Sequence, residues 1–255
     1  MSRVYDYPDY YDIAFSFRNI SEEVDVFEQC IDRFSRIPVR SVLELGCGNC
    51  PHMEELVRRG YEYVGIDLSD PMLDYSRAKA TRLGIDVELA KADMNTFKRD
   101  RQVDFAFVLV GSLFAGNTAE LVSHFESVAG ALRAGGLYFL DWCITFDPVL
   151  ETDAGISWEL ERDGVTVKTT NTWTAVNRAE QLYKECIVFE VDDRGQGVRI
   201  EGTDVKRVLY PQEFLLLLKD MGLFEFVGWW NLWDLDQPLD RVVKVDRPIA
   251  VIRRI

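Results

Sequence analysis

The chain has 255 residues, with 29 basic against 43 acidic side chains and a formal charge of −14. Hydrophobic residues make up 47% of it, well above a disordered composition, and the length suits one large domain, or one with a small appendage, that needs no disulfides to hold a core. The acidity argues against an electrostatic grip on nucleic acid or anionic membrane, and no stretch reaches the roughly 18 apolar residues of a membrane span.

The N-terminus MSRVYDYPDY carries no apolar run and reads as no secretory signal. The five cysteines, Cys30, Cys47, Cys50, Cys143 and Cys186, form no framework, so a reducing cytoplasm is expected. Cys47 and Cys50 make a C-x-x-C without a second ligand pair, and read as small residues in a tight turn rather than a redox or metal site. Residues 21–36 repeat apolar positions every three to four residues behind Ser21, which predicts an amphipathic helix. SVLELG (41–46) predicts a short buried strand. PHMEELVRRG (51–60) follows as a helix opened by Pro51 and closed by Gly60. YEYVGIDLS (61–69) is a second strand, 71–84 a second Pro-started and Gly-stopped helix, and 85–93 a third strand. VDFAFVLVG (103–111) reads as a strand buried on both faces. Residues 118–136 read as a helix ended by Gly135 and Gly136, and LYFLDWC (137–143) as another buried strand. This alternation predicts βαβ units on a parallel sheet.

From about 155 to 209 the texture changes to period-two alternation. Asp163-Gly164 and Asp193-Arg194-Gly195 punctuate two hairpins, which predicts four inserted antiparallel strands. A helix (211–223) and two strands (225–233 and 247–255) then return to the first architecture. The expected arrangement is an α/β domain of 1–149 and 210–255 interrupted by an antiparallel β-sheet of 150–209, which the resemblance described below makes a cofactor domain and its lid.

The chemistry concentrates at strand ends. Gly46 and Gly48 bracket Cys47 between a buried strand and a helix. A β-carbon at either glycine would block a ligand there, and open α/β sheets bind ligands at this edge. Asp67 ends the second strand 19 residues past Gly48, where an acid can accept from both ribose hydroxyls. Asp93, ending the third strand, can accept from an adenine amino group beside the apolar Met94, or can cap a turn.

VLELGCGNC, GIDLSDPML, KADMNTF and ALRAGGLYFLDW resemble motifs of the class I S-adenosylmethionine-dependent methyltransferases across about 41–143. The resemblance implies an α/β, Rossmann-like, doubly wound seven-stranded sheet whose last strand is antiparallel. It implies S-adenosylmethionine as cofactor, with S-adenosylhomocysteine as its product. Gly46, Cys47 and Gly48 would pass against the methionyl part, and Glu44 would sit near its amino group. Asp67 would hold the ribose, with Leu68 and Met72 against the adenine and Asp93 and Met94 over its edge. Val110 and Gly111 would line the methionine side.

The inserted sheet resembles the lid of small-molecule N-methyltransferases of the glycine and amino-sugar type, as does the N-terminal Tyr10-Tyr11-Asp12. In such enzymes the N-terminal segment folds over the cofactor. That makes Tyr11 the candidate catalytic hydroxyl near the sulfonium and Arg18 the candidate partner of the cofactor carboxylate. Packing of Tyr5, Tyr7, Tyr10 and Tyr11 is the alternative. Some relatives place a His where Ala115 falls here, so N-methylation by proximity is expected rather than by an imidazole base. Trp158, Trp173, Tyr183, Trp229, Trp230 and Trp233 cluster in and after the lid. With Glu185 they can attract a cation, or they can fill the lid's own core, while Arg199 and Arg207 can hold an anion. The expectation is therefore a cytoplasmic methyltransferase of a small molecule, with Trp173, Tyr183, Glu185, Arg207 and Trp229 at the substrate. Neither metal nor nucleic acid nor membrane is expected as partner, and a homodimer could form through the lid. Methylation of a protein or tRNA, or a non-catalytic S-adenosylmethionine-binding factor, are the rivals.

Overall fold

A computed structural model describes residues 3–149, 151 and 155–255. The N-terminal segment begins with a short 3-10 turn and α1 (Pro8–Ala14), followed by α2 (Ile20–Phe34). The cap of α2 is Asn19, whose side chain accepts from the Glu22 amide, and not Ser21 as the sequence pattern suggested. Next come β1 (Ser41–Leu45), α3 (Met53–Arg58), β2 (Glu62–Asp67), α4 (Asp70–Leu83), β3 (Glu88–Lys91), β4 (Val103–Val108), α5 (Thr118–Ala131) and β5 (Leu132–Asp141). The chain then forms β6 (Ile156–Arg162), β7 (Val165–Asn177), β8 (Leu182–Asp193) and β9 (Gln196–Arg207), and closes with α6 (Pro211–Met221), β10 (Phe224–Trp230) and β11 (Ile249–Arg254).

Seven strands form one sheet in the order β10-β11-β5-β4-β1-β2-β3. All neighbours are parallel except β11, which runs antiparallel to both β5 and β10. Strand order reverses between β1 and β4, which creates the crevice where sheets of this type take ligands. The two faces of the sheet bury separate cores. One packs Leu121, Phe125 and Val128 of α5 with Phe214 and Leu218 of α6. The other packs Val24 and Phe27 of α2 with Met53, Leu56 and Leu73 of α3 and α4.

The helix read as ending at Gly135 and Gly136 ends instead at Ala131. Both glycines lie inside β5, where the pairing with β4 shifts register. A β-carbon at Gly136 would lie 2.4 Å from the Asp104 carbonyl oxygen of the neighbouring strand, so that strand can pass there only as glycine.

The second sheet runs β6-β7-β8-β9, antiparallel throughout, with both proposed hairpins in place. Val165, Val167, Phe189, Val191 and Ile200 on it share a core with Val4, Ile13 and Ala14, so the N-terminal segment packs against the lid. Asp12 ties three parts together: it accepts from Asn49 beside the glycine turn at 2.5 Å and from Arg162 of β6 at 2.6 Å. Among the described residues, no helix is long and apolar enough to cross a membrane.

Candidate active site

The first strand ends in a turn in which Gly46 and Gly48 both have positive φ, +62° and +50°. A β-carbon at Gly46 would press on Met94 Cε at 3.0 Å, whereas at Gly48 it would meet nothing within 4 Å. Asp67 closes the turn from the next strand. Its Oδ2 accepts from the Gly48 amide and its Oδ1 from the Ser69 amide, both at 2.8 Å. Burial raises the Asp67 pKa, and those amides pull it back toward the charged form. Leu68, next to it, holds its side chain 47% exposed. An apolar surface beside a half-buried, hydrogen-bonded acid and an open glycine turn fits a nucleoside.

Asp93 caps its own turn, accepting from the Asn95 amide at 2.8 Å, and stays half-buried with Met94 beside the Gly46 turn. At the end of β4, Val110 and Gly111 both have positive φ. Val110 is a strained position for a β-branched residue, and Asp141, fully buried at the end of β5, holds it there. The Asp141 carboxylate accepts from the Val110 amide at 2.9 Å, and its backbone carbonyl accepts from Gly111 at 3.0 Å. Trp233 Nε1 (2.8 Å) and Arg247 (2.8 and 3.0 Å) satisfy the remaining lone pairs of that carboxylate. Asp141 was missed in the sequence, although an acid ending a buried run is the same signal that marks Asp67.

Six residues expected at the cofactor or substrate are instead engaged or buried within the fold. Glu44 is buried and accepts from the Tyr63 hydroxyl at 2.5 Å, with His52 Nδ1 at 3.5 Å, so its carboxylate is not presented to an amino group. Arg18 pairs with Glu23, beside His52 Nε2 at 3.2 Å, rather than reaching for a carboxylate. Burial alone would raise the Glu23 pKa, but hydrogen bonds from His52 and Arg18 outweigh it and hold the group at about 2. Cys47 turns its thiol under Gly65 and spends its amide on Ile66 and its carbonyl on Cys50. Met72 is fully buried beneath the site. Arg207 is ion-paired to Glu213 at the start of α6, anchoring the lid to the sheet domain. Trp229 likewise packs on Phe146 and Phe226 rather than under the lid.

Tyr11 is half-buried against Tyr5 and Phe15, with Phe189 of the lid beyond, and the charges of Arg18, Asp67, Glu185 and Glu44 all act on its hydroxyl. Burial pushes its pKa well up, so it is a neutral hydroxyl. Tyr5, named in the sequence only as a packing residue, feels the charges of Glu185 and Asp204 of the lid as well as that of Asp67. These two tyrosines therefore join the Asp67 end of the sheet to the inner face of the lid.

On that face the strand register aligns Trp173, Glu185 and Asp204 across β7, β8 and β9. Two residues along lie Tyr183 and Lys206, directly opposite each other. Tyr183 is buried and pairs with Tyr210 through their hydroxyls. Glu185 accepts from Asn171 at 2.8 Å and pairs with Lys206 at 3.0 Å. Neither Asn171 nor Lys206 was identified from the sequence, but both fall on the period-two positions that put Trp173 and Glu185 inside.

Both histidines are fully buried away from this space. His52 Nε2 sits 2.8 Å from Glu23, and His124 bonds to the Met94 carbonyl and the Tyr138 hydroxyl. Neither can serve as a base at the crevice.

Residues 42–136 match the methyltransferase domain family. One relative, the dTDP-3-amino-3,4,6-trideoxy-alpha-D-glucopyranose N,N-dimethyltransferase of Streptomyces venezuelae, is 26% identical over 198 residues, or 76% of this chain and 79% of that protein. Another, the cypemycin N-terminal methyltransferase of a Streptomyces species, is 32% identical over 149 residues, 56% of this chain and 58% of that one. Among solved structures, an S-adenosylmethionine-dependent methyltransferase from Clostridium acetobutylicum ATCC 824 superposes with a TM-score of 0.77 over 96% of both chains, at 18% identity.

Proposed function

We propose that the chain is a class I S-adenosylmethionine-dependent methyltransferase, a reading supported by the methyltransferase domain match over residues 42–136 and by the shared fold, and that it methylates a small amine held between the crevice and the β lid. S-adenosylmethionine supplies an electrophilic methyl group on a positively charged sulfur. In this reading Gly46 and Gly48 keep the turn open for it, and Asp67 accepts from the ribose. Leu68 covers the adenine, Asp93 and Met94 meet its edge, and Val110 and Gly111 line the methionine side. Tyr11 closes the N-terminal segment over the site with a neutral hydroxyl. Trp173, Tyr183 and Glu185 receive the acceptor. The lid, residues 150–209, is the specificity element, and residues 1–149 and 210–255 are the cofactor domain. The free thiols, Cys47 and Cys50 among them, fit a reducing cytoplasm.

One observation carries the choice of nitrogen: both imidazoles are buried in the fold, while the lid turns aromatic faces and carboxylates inward. An amine with a free lone pair needs only position and orientation to react, whereas a hydroxyl needs a base to take its proton. The named activities of the Streptomyces relatives, an amino-sugar N,N-dimethylation and an N-terminal methylation, are both transfers to nitrogen.

Two measurements test the reading. Calorimetry should show S-adenosylmethionine and S-adenosylhomocysteine binding in the micromolar range, and no binding of either would overturn it. Asp67→Ala should weaken that binding by about 10- to 100-fold, the scale of a lost hydrogen bond to a charged group. A labelled-methyl transfer panel of amino sugars, small amines, peptides and tRNA should place the label in small amines. Label confined to tRNA or to protein would make one of those the substrate instead.

A further inference from the structure

Lys206 is a cation placed inside the lid rather than on its surface. Its side chain is 13% exposed, and its Nζ lies 3.1 Å from the Gly111 carbonyl oxygen and 3.0 Å from Glu185 Oε2. The same nitrogen stands 4.6 Å from the centroid of the Trp173 ring. Glu185 is equally enclosed, and Asn171 Nδ2, 2.8 Å from its other oxygen, fixes the carboxylate. A carbonyl oxygen, an oriented carboxylate and an indole face are together what binds an alkylammonium group.

The position matters as much as the composition. Gly111 follows β4 at the crevice where strand order reverses, on the side assigned above to the methionine part of the cofactor. An acceptor nitrogen has to come to this end of β4 to meet the methyl group. We propose that the Gly111 carbonyl, the Glu185 carboxylate and the Trp173 ring form the cage for the acceptor's amino group, and that the Lys206 ammonium occupies this cage until an acceptor displaces it. The proposal rests on the N-methyltransferase reading and narrows its substrate to amines that enter as alkylammonium ions. Such an ion replaces the contacts of Lys206 one for one, and before transfer it gives one N–H proton to the Glu185 carboxylate, which frees the lone pair that takes the methyl group as the carbon–sulfur bond breaks. A neutral alcohol leaves Glu185 without a counter-charge, and an anion meets Glu185 as a like charge.

The test uses ethylammonium chloride as probe, with the full chain saturated with S-adenosylhomocysteine. S-adenosylhomocysteine affinity is measured first and reports whether each variant keeps its fold. In Lys206→Met, which keeps the length but not the charge, ethylammonium should bind at least about tenfold tighter than to the unmodified chain, the scale of a charged hydrogen bond. Adding Glu185→Gln to that variant should abolish the gain. No gain in Lys206→Met, or a gain that survives Glu185→Gln, overturns the proposal. If Lys206→Met no longer binds S-adenosylhomocysteine, Lys206→Gln carries the same expectation with a smaller gain, because its amide can keep the Gly111 contact. Failure of the unmodified chain to bind S-adenosylhomocysteine would strike the methyltransferase reading instead, so the two failures are distinguishable.

Discussion

His124 lies fully buried between the Met94 carbonyl at 3.0 Å and the Tyr138 hydroxyl at 2.8 Å. A carbonyl only accepts, so Nδ1 carries the proton and Nε2 accepts from Tyr138. Burial pushes the pKa of this histidine down to about 4. Between that value and the ordinary 6.5 the unfolded chain binds the proton more readily, so stability is full above pH 6.5 and is lost as pH falls toward 4. Over pH 6.5 to 5, above the range in which Glu23 contributes, the loss should be about 2 kcal/mol. Urea denaturation should show that slope in the parent chain and a flatter one in His124→Gln; equal slopes would remove His124 as the cause. In the sequence His124 falls mid-helix beside Phe125 and His52 opens a helix, positions that read as structural rather than catalytic, so that much was legible. Their partners were not, because Glu23, Met94 and Tyr138 come from distant elements. The same distance explains why Glu44 and Arg18 were assigned to a cofactor: a sequence shows a charge but not the counter-charge that folding brings to it.

At the scale of elements, hydrophobic period and turn chemistry placed nearly every strand and helix, and Asp163-Gly164 located the first lid hairpin. Boundaries failed where a glycine had two uses. Gly135 and Gly136 read as a helix stop, but tertiary pairing recruits them into β5, where Gly136 passes the Asp104 carbonyl. Gly136→Ala should therefore destabilise the fold by about 2 kcal/mol or more, as an overpacked backbone contact does, seen as a lower melting temperature. An unchanged melt would mean that the strand can shift to make room. The N-terminal segment makes a second prediction. Val4, Ile13 and Ala14 cover apolar lid positions including Phe189 and Ile200, so a chain beginning at Ile20 should bind a hydrophobic dye more strongly. Its S-adenosylmethionine affinity should fall by about tenfold, on the scale of a lost hydrogen-bonding partner.

Across the whole molecule, one charge network joins parts far apart in the chain. Arg247 reaches both Asp141 and Glu23, and Glu23 reaches Arg18 and His52. The N-terminal segment, the glycine turn, the end of β5 and the last loop are thereby tied beneath the crevice. Breaking a buried pair on one side leaves the other charge uncompensated, so Asp141→Asn should cost about 3–5 kcal/mol. It should also loosen Val110 and weaken cofactor binding. Adding Arg247→Met should recover part of the stability, because the stranded charge is removed; a purely additive double variant would argue against the network. The sequence by itself determined the architecture, the location of the lid and the strand-end positions Gly46, Gly48, Asp67 and Asp93, because these follow from local period, turn residues and the rule that open parallel sheets bind at their carboxyl edge. Only the tertiary structure decided which charges remain available to a ligand. Glu44, Arg18 and Arg207 are spent on partners inside the fold, while Lys206 and Glu185 are carried over Gly111 by the register of the lid. Electrostatic neutralisation depends on spatial neighbours, and those are set by the packing of elements that the chain order keeps apart.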